Sequence, residues 1–181
     1  KDNGYKVYWG NGAQIIPPHD QCISEEIDRV KRTEDIEVSA IEELRDCGLL
    51  ESVDPAVRTA YFEAISKQRV VRPQTPVSLV YTAMHGVGYA SIKLALDGLG
   101  YVRVYPVEEQ VEPDPEFPTV AFPNPEEKGA MDLALQKAQE VSADLILAND
   151  PDADRLAVAL QNRQGIWTRL TGDQVGLVFA Y

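Results

Sequence analysis

The stretch Leu145-Ile-Leu-Ala-Asn-Asp-Pro-Asp-Ala-Asp-Arg155, running on into Leu156-Ala-Val-Ala-Leu160, decides how this chain folds. Residues 145 to 148 are wholly apolar, and so are residues 156 to 160. Two short apolar runs on either side of a Pro-containing polar turn predict two buried strands. Between them, six residues carry three carboxylates and one guanidinium: Asp150, Asp152, Asp154 and Arg155. Side chains two apart in an extended loop point the same way, so the three aspartates can converge on one point. Like charges that close repel unless a cation sits among them. Hard oxygen donors suit Mg2+, Mn2+ or Ca2+ rather than zinc. Arg155 beside such an ion presents a planar fork that fits a phosphate.

The plain alternative is a solvated acidic turn, which would suffice for a single Asp-Pro-Asp. Three alternating aspartates and an arginine at the end of a buried strand argue against it. An EF-hand loop fails on detail. With Asp150 at position 1, Arg155 stands where glycine is needed and Gln161 where glutamate is needed. A phosphatase of the haloacid dehalogenase type also places Asp-x-Asp after an apolar strand and would make Asp150 a nucleophile. It leaves Asp154 and Arg155 without a role, and it stands as the runner-up. A non-catalytic binding module that keeps the fold is the third reading.

Working outward, Val77–Tyr81 is a second apolar strand, followed by Thr82-Ala-Met-His-Gly-Val-Gly88. An amphipathic helix runs from about Tyr89 to Leu99, with Ile92, Ala95, Leu96 and Leu99 inward and Gly100 at its end. Tyr101–Val107 predicts a strand. Residues 108 to 125 hold five prolines and cannot form a regular element. Glu126–Val141 predicts a helix, and Ile166–Leu170 a last strand before a helix capped by Thr171 or Asp173. Such alternation predicts a three-layer α/β/α domain with a mixed, largely parallel sheet. Ligands of such sheets lie at the carboxyl ends of parallel strands, where both loops, 82 to 88 and 149 to 155, fall.

The N-terminal third is less periodic. Tyr5–Tyr8 and Ala13–Ile16 predict strands, Ser24 the cap of a helix starting near Glu25, and Ile41–Cys47 a short helix. Asp54-Pro55 begins a clearer helix with Val57, Ala60, Tyr61, Ala64 and Ile65 along one face.

At 181 residues the chain can bury one good core, and its 44% apolar and 25% charged content is ordinary for a globular protein. No run of eighteen apolar residues and no basic leader is present, so neither a membrane span nor a secretory signal is expected. A net charge of -12 without a basic cluster argues against a nucleic-acid partner. Cys22 and Cys47 match no metal spacing and read as free thiols in a reducing, cytoplasmic setting. Both ends look cut: Lys1 opens without a methionine, and the chain stops within a helical pattern at Tyr181. A fragment of a longer protein is expected.

Four pieces taken together resemble one family: Asp2–Tyr8, Thr82–Gly88, Asn149–Arg155 and Thr171–Gln174. In this order they are similar to the α-D-phosphohexomutases, the superfamily of phosphoglucomutase and phosphomannomutase. The proline-rich Asp114–Val120 and Pro123–Glu126 resemble the branch containing phosphopentomutase and glucose-1,6-bisphosphate synthase. The resemblance spans nearly the whole chain and is weakest over residues 28 to 73.

The resemblance implies one part of a four-domain enzyme around a cleft. Residues 1–30 would be the tail of the first domain, 31–73 a connector and helix, and 74–170 the second domain with its metal loop. Residues 171–181 would open the linker to the third. The family passes phosphate from a phosphoserine to a sugar phosphate, reorients the sugar bisphosphate intermediate, and takes the other phosphate back. That serine would precede Lys1. By the same resemblance Asp150, Asp152 and Asp154 hold Mg2+, Arg155 contacts the phosphate, and Lys6 is the general acid/base, its pKa lowered by burial. His85, Gly86 and Gly88 would support the site from the neighbouring loop, with structural roles for His85 and positive φ or close helix packing for the glycines. Asp173 and Gln174 read as capping residues. Residues 77 to 170 are expected to fold alone, leaving the strands within residues 1 to 16 unpaired and the isolated chain without turnover.

Overall fold

The computed structural model describes residues 6–70 and 74–180. Of the N-terminal motif, Asp2–Tyr5 lie outside the described residues. The chain divides into two compact units, Lys1–Val53 and Asp54–Tyr181.

The first unit is two helices and a minimal turn. Helix α1 spans His19–Arg29, a short 3-10 turn covers Thr33–Asp35, and α2 spans Ile41–Asp46. The two strands predicted around Asn11-Gly12 reduce to one antiparallel bridge, Tyr8 to Gln14. The Asn11 side chain accepts from the Ala13 amide at 3.0 Å, a turn that stands by itself and needs no strands behind it. Helix α1 begins five residues before the Ser24 cap expected of it. The Pro18 carbonyl already accepts from the Cys22 amide at 3.0 Å, so Ser24 falls in the helix interior. His19, which had no reading in the sequence, stacks on Trp9 with ring centroids 4.5 Å apart. No described residue of this unit is buried.

The second unit opens with α3, Pro55–Lys67, where the Asp54 side chain accepts from the Ala56 amide at 2.8 Å and Pro55 takes the first helical position. Its expected inward face is outward: Val57 is 60% and Tyr61 61% exposed. Phe62, on another face, lines with Leu94 a groove of about 480 Å³. Strand β1 is Val77–Thr82, α4 Tyr89–Asp97, β2 Val102–Pro106, α5 Asp132–Glu140, β3 Leu145–Asn149, β4 Leu156–Gln161, β5 Trp167–Arg169 and α6 Gly172–Ala180. Between β2 and α5 the proline-rich segment is irregular apart from one 3-10 turn, Glu108–Gln110. Helix α5 starts six residues later than its composition suggests. Gly129 at φ +83 cannot belong to a right-handed helix, so the first turn cannot form before it. Helix α6 opens on a reciprocal cap. The Gln174 amide donates to Thr171 Oγ1 at 3.3 Å, and Gln174 Oε1 accepts from the Thr171 amide at 2.9 Å.

The five strands form one mixed sheet in the order β2-β1-β3-β4-β5. β1 runs parallel to both β2 and β3, while β4 and β5 continue antiparallel. Helices flank the sheet in an α/β/α arrangement. Val80, Ile146, Ala148, Ala157 and Ala159 pack with Ala134 and Ala138 of α5 into the core, where small residues let helix and sheet approach closely. Leu79 and Tyr81, alternating with Val80 along β1, point to the other face, where Tyr81 packs beside Tyr89 of α4. β1 and β3 lie side by side, so their carboxyl ends place loops 83–88 and 150–155 next to each other.

Candidate metal centre

The loop from Asn149 to Arg155 is tied to itself. Asn149 Nδ2 donates to the Arg155 carbonyl at 2.6 Å, and the Ala153 amide donates to the Asp150 carbonyl at 2.9 Å. Ala153 adopts the left-handed conformation at φ +58, one of few positions where a non-glycine residue accepts that cost. The turn brings Asp150, Asp152 and Asp154 together, with one oxygen from each lying within 4.8 Å of the others. Opposite oxygens around Mg2+ stand about 4.2 Å apart, a contraction that small side-chain rotations of the exposed Asp152 and Asp154 can supply. Three hard carboxylates without nitrogen or sulfur donors are the donor set of a divalent cation such as Mg2+.

The three differ in burial. Asp150 is 0% exposed and accepts twice from Arg155, from the amide at 3.0 Å and from Nε at 2.7 Å. A buried carboxylate needs such partners, since an unpaired charge there would be strongly disfavoured. The Arg155 guanidinium is half in solvent and also lies 3.8 Å from Asp154. Its pKa is raised, chiefly by the hydrogen bond to Asp150 and then by the charges of all three aspartates. Arg155 therefore stays cationic at the edge of the cluster, with its planar fork toward solvent.

The adjacent loop fits against this one through absent side chains. A Cβ on Gly86 would stand 2.2 Å from Pro151 Cα, and the Val87 amide donates to the Pro151 carbonyl at 2.9 Å. A Cβ on Gly88 would stand 2.7 Å from the Tyr81 hydroxyl. Neither glycine has a positive φ; that conformation falls on Met84 (φ 48) and His85 (φ 60). The expectation of positive φ at the glycines is corrected here: they serve as spacers for close approach. His85 is buried, and its Nε2 lies 2.8 Å from Thr119 Oγ1. Its amide donates to the Gln110 carbonyl at 3.1 Å. Gln110 is also buried, bonded to Thr82 Oγ1 at 2.5 Å and to Thr119 Oγ1 at 2.8 Å. This network holds the turn at Met84 and His85 in place.

Lys6 is exposed, not buried as expected of it, and belongs to the first unit, whereas the aspartates and Arg155 belong to the second. Sequence reasoning missed Tyr81, Asn149 and Gln110. Asn149 carried a signal, an amide able to both donate and accept immediately before the first aspartate of the loop. Gln110, inside an irregular segment, carried none. Burial pushes the Tyr81 phenol up to about 12, so it remains a donor to Asn149.

The fold is that of a mixed α/β/α domain with an acidic, arginine-flanked loop at the carboxyl end of a parallel pair, the place where ligands of such sheets bind. The chain belongs to the phosphoglucomutase/phosphomannomutase family, and residues 59–165 match that family's alpha/beta/alpha domain II. It is 42% identical to the phosphopentomutase of Mus musculus, over all of this chain and 30% of that protein. It is 42% identical to the phosphoribomutase of Saccharomyces cerevisiae, over 99% of this chain and 31% of that protein. Against a probable phosphomannomutase of Haemophilus influenzae the identity is 44%, over 97% and 36%. The chain thus spans about a third of the length of the curated relatives it matches. Among the described residues, no helix is long and apolar enough to cross a membrane.

Proposed function

We propose that the chain supplies the metal loop of a sugar-phosphate mutase that works through a phosphoserine and a sugar bisphosphate intermediate, making it an intramolecular phosphotransferase of the isomerase class. The observation that carries this is the convergence of Asp150, Asp152 and Asp154 beside Arg155, in a chain that belongs to a mutase family. The three aspartates would hold Mg2+, whose charge, when bound, stabilises the phosphoryl group as it transfers. Asp150 is the preorganised ligand, already oriented by Arg155. Asp152 and Asp154 are exposed and would close on the ion. Arg155 would direct its remaining donors at a phosphate oxygen. Lys6 would exchange a proton with the sugar hydroxyl. Residues 74–170 would be the second domain, flanked by residues 1–30 and 171–181 of its neighbours and the 31–73 connector. The relatives' names supply the substrate class, pentose, ribose or mannose phosphates, and a cytoplasmic setting suits it.

Both oxygens of Asp150 accept hydrogen bonds from Arg155, which lowers the nucleophilicity of the carboxylate and counts against its use as a phosphatase nucleophile. Two experiments test the reading. Asp152→Asn in the complete protein should lower turnover of sugar 1-phosphates by about a hundredfold or more; near-normal turnover would sink the metal site. Phosphorylation by a sugar bisphosphate should label a serine, and a label on Asp150 would transfer the reading to the phosphatase.

A further inference from the structure

Three segments of chain meet at one phenol. Tyr81, in β1, is 1% exposed, and its hydroxyl donates to Asn149 Oδ1 at 2.9 Å. Asn149 passes the contact on, donating from Nδ2 to the Arg155 carbonyl at 2.6 Å. The start of α4 closes over the same hydroxyl, where a Cβ on Gly88 would stand 2.7 Å from it and 3.1 Å from the Ala153 Cβ. An amide anchored only by its N–H group can swing about its last torsion. One whose oxygen also accepts is fixed, and with it the carbonyl that it holds. Arg155, the residue so held, is the one that orients Asp150 through its amide and Nε.

We propose that Tyr81 is a positioning residue for the metal loop, acting through Asn149 and Arg155 to set the spacing of Asp150, Asp152 and Asp154. This rests on the metal-binding reading given above. Gly88 is the complement of the phenol, because the missing side chain leaves the hydroxyl its place.

The probe is Mn2+, followed by electron paramagnetic resonance of the free ion against the protein, at low temperature where circular dichroism shows each variant folded. Tyr81→Phe, which removes one oxygen, should weaken Mn2+ binding about tenfold, as groups that orient metal ligands do. Tyr105→Phe, which removes a hydroxyl that bonds Arg103 on β2, should leave the affinity unchanged. Gly88→Ala should also weaken binding, and by less in the Tyr81→Phe background than alone, because the crowded oxygen is gone. Wild-type affinity in both Tyr81→Phe and Gly88→Ala overturns the proposal and leaves the metal reading standing. A lower thermal midpoint with unchanged affinity assigns Tyr81 to packing and also overturns it. Absence of Mn2+ binding by the unaltered protein removes the metal reading, and this proposal with it.

Discussion

Residues 6–53 and the sheet of the second unit both carry apolar side chains yet are opposite in what they do with them. Trp9, Ile36 and Val38 of the first unit are 52%, 52% and 88% exposed, whereas Leu79, Val80 and Ile146 of the second are 1%, 0% and 0% exposed. Alternation of apolar residues becomes structure only where a second layer covers it. In the second unit the central strands are fixed by packing from both faces; in the first, local turn chemistry acts almost alone.

The contrast should be largest in amide hydrogen exchange. Amides of Leu79–Thr82 and Ile146–Ala148 should exchange on the order of a thousandfold more slowly than those of α1 and α2, because only global unfolding exposes them. Equal protection in α1 would break the comparison and show that residues 19–29 are covered in solution. Glycines sharpen it. Gly86→Ala drives a Cβ into Pro151 backbone and should cost about 3 kcal/mol or more in urea unfolding. Gly12→Ala meets nothing within 4 Å and is opposed only by φ +78, so about 1–2 kcal/mol of local strain is expected, with no loss of the second unit's transition. Truncations should divide in the same way. Ile146→Ala should cost about 2–5 kcal/mol, and Ile36→Ala under about 0.5 kcal/mol.

The smallest effect concerns pH. A hydrogen bond from Lys137 holds the carboxyl of Glu108 below the usual carboxylate range. A lowered folded pKa stabilises fully above the unfolded value of about 4.3 and is lost as pH falls through the folded value. Glu108→Gln should therefore lower the urea midpoint slightly at neutral pH and leave it unchanged well below pH 4, the small size reflecting an exposed pair.

These differences explain what could be read from the residues alone. β1, β3 and β4 were legible because each is a short apolar run between turn signals, and the aspartates because their alternation is local. The start of α5 was not, since a helical pattern says nothing about the φ of Gly129. Ser24 looked like a cap because capping residues are judged by type, and only the carbonyl of Pro18 shows where α1 begins. The outward face of α3 needed a tertiary partner to be assigned. Tyr81 and Asn149 lie 68 residues apart, and no spacing rule within one element connects them. Met84 and His85 take the left-handed conformations expected of the neighbouring glycines, because Gly86 is needed where it meets the Pro151 backbone and Gly88 where it meets the Tyr81 hydroxyl.

The Asn149 amide that grips the Arg155 carbonyl gives the acidic loop a fixed arc. Surface loops ordinarily absorb an inserted residue at little thermodynamic cost. Here the chord is set by one side chain and the arc by six residues, so an insertion lengthens the arc without moving its ends. It would also break the turn closed by the Ala153 amide and the Asp150 carbonyl, which brings the aspartates together. The segment therefore acts as a gauge of length. Insertions and deletions between 149 and 155, more than substitutions, mark the boundary of what this site can accommodate.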